Sequence, residues 1–264
     1  MEITIIYYYI ILILSIGLSI KSFEYLSTIK MFQKGKAFDY SVIGIDMFQM
    51  GKLGWFFNLI YSKNGVISLI ALSLMSTVII YVSAFNSVLF SSAVVVLLSV
   101  NLLLYYRHSY GLDGADQMSL LLIITLFLCY VFASDPKIQK IGIFFIAFQL
   151  SLSYTVAGIA KLFSKQWRSG LAIQGILSTY TYGMKFTREK LTKNKFMCLT
   201  LCWLTIIMEI CFPLVIFLDP QITLIFLGFG FLFHLSIAIV MGLNDFVWGF
   251  SAAYPAFYYL STLI

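Results

Sequence analysis

Eight runs of apolar residues, at 3–20, 65–84, 87–106, 118–134, 141–163, 196–218, 222–242 and 246–264, set the limits on what this chain can fold into. Each approaches the roughly 20 residues that carry a helix across the hydrocarbon core of a bilayer, where backbone polar groups must be bonded within their own segment. Eight such helices use about 160 residues, and 61% of the 264 residues are hydrophobic, so supply matches demand. Charged residues make up 11% of the chain, against roughly 25% in an ordinary soluble domain, which excludes a water-soluble globule. The expected fold is an all-α polytopic integral membrane helix bundle of about eight transmembrane helices with interfacial or re-entrant segments, forming one membrane domain over residues 1–264. Its first partner is the lipid bilayer, and its location a cell membrane crossed several times.

Short breaks at Phe85-Asn86, Asp219-Pro220 and Asn244-Asp245 leave room only for tight turns, so the spans beside them form hairpins. Two longer stretches remain: 21–64, with an amphipathic piece at 42–59, and 164–195, with a semi-apolar piece at 170–182 suited to the interface or to a re-entrant turn. The net charge of +6 suits loops against anionic lipid, and nucleic acid is not an expected partner. With eight spans, fifteen of the 17 Lys and Arg fall on one side, leaving only Lys137 and Lys140 on the other. The positive-inside rule then places the rich side in the cytoplasm and both termini outside. If 170–182 crossed the membrane, everything after it would flip.

Cys129, Cys198, Cys202 and Cys211 all lie in apolar runs and read as small hydrophobic residues. Cys198 and Cys202 share a helix face, but no His or second Cys pair lies near them, so neither a metal site nor a disulfide framework is expected. No basic segment or cleavage motif accompanies the first run, which reads as a retained helix.

An ionisable group inside a span costs about 2.5–3.5 kcal/mol on insertion scales and needs a partner or a purpose. Glu209 and His234 are such groups. Counted from the Asp219-Pro220 turn at 1.5 Å per residue they lie at depths of about 15 and 21 Å, which predicts a direct Glu209–His234 contact, structural or proton-handling. A second cluster is the polar loop at 107–118, where Arg107 is expected to pair with Asp113 or Asp116 near His108, with Gln117 beside them. The third is 149–170, where Ala157-Gly158 permit close helix approach. There Lys161 either snorkels from a span end or serves as a desolvated base near neutral pH.

These clusters resemble the signature of the HTTM domain superfamily, the membrane domain shared with vitamin K-dependent gamma-glutamyl carboxylase. Tyr154-Thr155-Val156-Ala157-Gly158-Ile159-Ala160-Lys161-Leu162, followed by Trp167, resembles that family's Tyr, Ala-Gly, Lys-Leu, Trp pattern, and His108-Ser109-Tyr110 resembles its His-Ser-Tyr segment. The resemblance implies Lys161 as the base acting on a reduced quinone and His108 as its partner. Arg107, Asp113, Asp116, Gln117, Tyr154 and Trp167 would line a polar cavity, and Glu209 and His234 fit polar positions of the late spans. The carboxylases carry a large soluble domain that holds the peptide substrate; none is expected here, so substrate recognition is expected to be missing or supplied by a partner. The spacing from Lys161 to Trp167 is also one residue longer than theirs.

The short form and the Asp-Gly-Ala-Asp-Gln core look more like the bacterial sporulation-delaying-protein (SdpB-like) branch. That resemblance implies a bacterial inner-membrane protein that takes part in maturation or export of a secreted antimicrobial or toxin peptide, with a small partner protein. Two other functions fit the same residues. One is a quinone-dependent enzyme of carboxylase-like or epoxidase-like chemistry with Lys161 as base; the other is a non-enzymatic immunity or scaffold protein. Lys161, His108 and the 113–116 loop are expected to converge on one cavity at one membrane face. The carboxylases' catalytic face is outward, whereas the charge count puts Lys161 inside, so the two expectations of orientation oppose each other.

Overall fold

The computed structural model describes residues 3–40, 54–83, 87–107 and 113–264. Among these residues all regular structure is helical, and seven helices are long and apolar enough to cross a membrane. The protein is an all-α, multi-pass membrane helix bundle. Its contacts divide it into two compact units, Tyr7–Pro136, and Met1–Ile6 with Lys137–Ile264.

The first unit holds α1 (Ile3–Ser27, from Tyr7 onward), the short α2 (Gly54–Ile60), α3 (Lys63–Val82), α4 (Val88–Arg107) and α5 (Gly114–Val131). Most of the expected amphipathic piece at 42–59 and the Phe85-Asn86 break lie outside the described residues. Ser62 starts α3 by accepting the Gly65 N–H at 3.1 Å. Asp113 starts α5 with a reciprocal box: its Oδ1 accepts from the N–H groups of Ala115 and Asp116 at 2.9 and 3.1 Å, and Asp116 Oδ2 accepts from the Asp113 N–H at 3.3 Å.

Lipid tails are as apolar as leucine, so hydrophobicity alone does not hold membrane helices together, and small polar contacts set their register. Lys21 of α1 forms an ion pair with Asp116 at the start of α5. Tyr7 Oη and Cys129 Sγ meet at 3.1 Å near the other end. These contacts are separated by about 21 Å along α1 and about 20 Å along α5, so the two helices are antiparallel and in register. On another face of α1, Ser19 Oγ donates to Thr77 Oγ1 at 3.2 Å, and Ser22 Oγ to Ser73 Oγ at 3.5 Å, tying α1 to α3.

The second unit contains α6 (Pro136–Phe163), α7 (Lys165–Arg168), α8 (Leu171–Ser178), α9 (Lys185–Glu189), α10 (Lys195–Cys211), α11 (Pro220–Met241), α12 (Asp245–Ser251) and α13 (Tyr254–Ser261). No spanning helix separates α6 from α10. The piece at 170–182 is the short α8, anchored where Gln174 Nε2 donates to the Thr192 carbonyl at 3.1 Å, so the reversal that a crossing there would impose does not arise. The segment packs along the first half of α10.

Two prolines divide the late helices. Proline lacks an N–H and its ring presses on the carbonyl four residues before it. Pro213 does this to Glu209, and α10 gives way to a 3-10 turn at Phe212–Phe217. Pro255 does it to Ser251, where α12 ends. The expected eighth span at 246–264 is therefore two short helices. They run back along α11, with Phe250 stacked on His234 at 4.6 Å and Phe257 packed on Phe212 at 5.3 Å.

α6 and α10 approach closely because residue 158 is glycine. A Cβ there would stand 2.8 Å from Ile210 Cγ1 and 3.0 Å from the Ile210 backbone nitrogen. Gly158→Val should cost the about 1–3 kcal/mol typical of overpacking, read as a lower unfolding midpoint of the detergent-solubilised protein. Val156→Leu, on the 57% exposed outward face of the same helix, should leave the midpoint unchanged.

Candidate functional site

On α6, Tyr154, Gly158 and Lys161 follow the i, i+4, i+7 spacing of one helix face. The buried residues of α10 repeat that pattern at Cys198, Cys202, Ile206 and Glu209, and those of α11 at Leu227, Gly230, His234 and Ala238. The three stripes meet inside the second unit and bring two polar groups together.

The first is an ion pair. Lys161 Nζ donates to both oxygens of the Glu209 carboxylate at 2.8 Å, and the Lys161 ammonium stands 5.1 Å from the centre of the Trp167 ring. Both side chains are largely buried, 20% and 8% exposed, so neither charge is left to water. Lys161 is turned to Glu209, about 21 Å along α10 from Lys195, and 164–194 folds back over the first half of that helix.

The second group lies two turns back along α6, toward its start. Tyr154 Oη bonds to His234 Nε2 at 2.8 Å and to Tyr254 Oη at 3.2 Å. Aromatic rings enclose it: Phe212 stacks on Tyr154 with centroids 4.0 Å apart, and Phe250 and Phe246 stack on His234 at 4.6 and 5.9 Å. Tyr254 reaches Tyr154 across Gly230, where a Cβ would lie 2.7 Å from its hydroxyl. His234 Nδ1 has no hydrogen-bond partner among the described residues.

The expected Glu209–His234 contact is therefore replaced by two others. The polar face of α6 meets both residues instead, Lys161 taking Glu209 and Tyr154, two turns away, taking His234. The expected Arg107–Asp pair is also replaced. Asp113 is engaged in capping α5, Asp116 closes the box and holds Lys21, and Arg107 Nη2 donates instead to the Phe38 carbonyl at 2.6 Å. Gln117 is exposed on the first turn of α5. Arg107, Asp113, Asp116 and Gln117 belong to the first unit and Tyr154, Lys161, Trp167, Glu209 and His234 to the second. His108 lies outside the described residues. Tyr254, Phe212 and Phe250 were missed: nothing in the sequence marks Tyr254 among 17 tyrosines.

Chemically, the site offers a held ammonium–carboxylate pair and a His234–Tyr154–Tyr254 chain in apolar surroundings. No family model, curated protein or solved structure matches this chain.

Removing one member of a buried pair strands the other's charge. Lys161→Met or Glu209→Met alone should lose on the order of 3 kcal/mol, and the double variant should recover most of that loss. A double-mutant cycle on thermal unfolding measures it, and additive losses would show that the two residues do not act as a unit.

Proposed function

We propose that this protein takes part in the maturation or export of a small secreted antimicrobial or toxin peptide, in the bacterial inner membrane, as in the sporulation-delaying-protein branch of the HTTM superfamily that it resembles. One observation supports the reading above others. Five residues that the resemblance singles out, Tyr154, Lys161, Trp167, Glu209 and His234, come from four helices and contribute to two adjoining polar groups within one unit. Helix packing alone has no need of both an ion pair and a His–Tyr–Tyr chain at positions where hydrophobic side chains cost less.

In this reading Lys161 is a positioned charge. A general base must turn a lone pair toward its substrate, whereas Lys161 Nζ donates to both Glu209 oxygens. The ammonium orients a negative group of the peptide or of its partner, and the His234–Tyr154–Tyr254 chain supplies further hydrogen bonds beside it. Quinone-dependent carboxylase-like or epoxidase-like chemistry asks for the opposite arrangement, a lysine free of its carboxylate.

The test is the mass and yield of the secreted peptide from cells that carry wild-type protein, Lys161→Ala, Lys161→Arg or no protein, at equal protein level. Loss of the gene should abolish the mature product. Lys161→Ala should lower its yield by about ten-fold or more, the worth of a charge-assisted hydrogen bond. Lys161→Arg should keep most of the yield, because arginine holds the charge but is not a usable base. An inactive, well-folded Arg variant would restore the base reading. An unchanged peptide in the deletion strain contradicts the proposal and favours an immunity or scaffold role.

A further inference from the structure

The first unit buries a cation that its described residues do not fully satisfy. Arg107, the last residue of α4, is 1% exposed, and its guanidinium makes one described hydrogen bond, from Nη2 to the Phe38 carbonyl. Nε and Nη1 have no hydrogen-bond partner among the described residues. Phe32 and Tyr40 lie 4.7 and 5.8 Å from the guanidinium carbon, so part of the charge rests on aromatic rings. Among the described residues the acidic group that acts on it through space is Asp39, whose Oδ2 accepts the Gly35 N–H at 2.6 Å. Rings and a carboxylate at a distance offset some of the cost of burying a guanidinium, but they supply no acceptor for its remaining N–H groups.

A second orphan donor lies beside it. Tyr61 is 1% exposed, its hydroxyl has no partner among the described residues, and its ring packs against Tyr40 with centroids 4.8 Å apart. Burial, reinforced by Tyr40, pushes the Tyr61 phenol up to about 12 despite the opposing pull of Arg107, so it remains a protonated donor throughout the working pH range. Tyr61 lies two residues before α3 and Arg107 ends α4. Since Leu69 of α3 packs with Val100 and Leu104 of α4, the two residues stand at the same end of this antiparallel hairpin, where spans meet the membrane surface.

We propose that Arg107 and Tyr61 form a binding site for a phosphate oxyanion, with Tyr40 and Phe32 as its aromatic wall. Three kinds of observation agree. The donors outnumber the acceptors, the charge to be met is positive, and a guanidinium suits phosphate oxygens better than an ammonium does. The position at a hairpin end is the level of phospholipid headgroups, while the site's chemistry would accept free phosphate equally.

The test uses the purified, delipidated full-length chain in neutral detergent and follows its unfolding midpoint. One arm adds phosphatidylglycerol in mixed micelles, a second adds inorganic phosphate, and a third adds detergent alone. The midpoint should rise by several degrees in a saturable way. A rise with lipid alone assigns the oxyanion to a headgroup, and a rise with inorganic phosphate assigns it to the free ion. Tyr61→Phe, which removes only the hydroxyl, should raise the half-saturating amount by about ten-fold, and Arg107→Gln should abolish the response. No rise in either ligand arm overturns the proposal, as does a rise that both variants retain in full. If Arg107→Gln does not fold, Tyr61→Phe decides alone.

Discussion

Two opposite charges inside an apolar bundle must find each other, and the pairing of Lys161 with Glu209 is the contact around which the second unit is arranged. It requires that α6 and α10 lie close, which Gly158 permits. It requires that α6 end beside the far part of α10, which the fold-back of 164–194 provides. It also sets the rotation of α6, and so turns Tyr154 toward His234 and Tyr254. Changing any one of these features leaves a buried polar group without its partner, where the penalty is largest.

The first unit solves the same problem with weaker contacts. Serine and threonine hydroxyls join α1 to α3, and Tyr7–Cys129 and Lys21–Asp116 fix the two ends of the α1–α5 pair. Arg107 is the exception. Its surroundings are aromatic and its partner is a backbone carbonyl, so the unit retains donors that its own described residues do not satisfy.

The sequence shows span positions clearly because bilayer thickness fixes helix length, and every long helix falls on an expected apolar run. The 246–264 run is broken because Pro255 acts on Ser251, a local effect that hydropathy does not register. The site was partly legible. The i, i+4, i+7 face of Tyr154, Gly158 and Lys161 can be read directly, and Glu209 and His234 stand out as polar residues in apolar runs. Their pairing could not be read, since distance from a turn gives depth along a helix but not which neighbour each face meets. The pairing of Lys161 could not be read either, because nothing in 164–194 announces that it folds back along α10. Arg107 was assigned to carboxylates because a backbone acceptor such as the Phe38 carbonyl has no signature in sequence.

The central claim is that Lys161 and Glu209 form a charged pair inside the bundle and that Lys161 is therefore a positioned cation. Infrared difference spectroscopy of the purified protein at neutral pH, with the Glu209 band assigned by comparison with Glu209→Gln, tests this most directly. The account predicts the antisymmetric stretch of an ionised carboxylate, shifted when Lys161 is replaced by methionine. A protonated carboxyl C=O stretch in the wild-type protein would contradict it and leave Lys161 neutral.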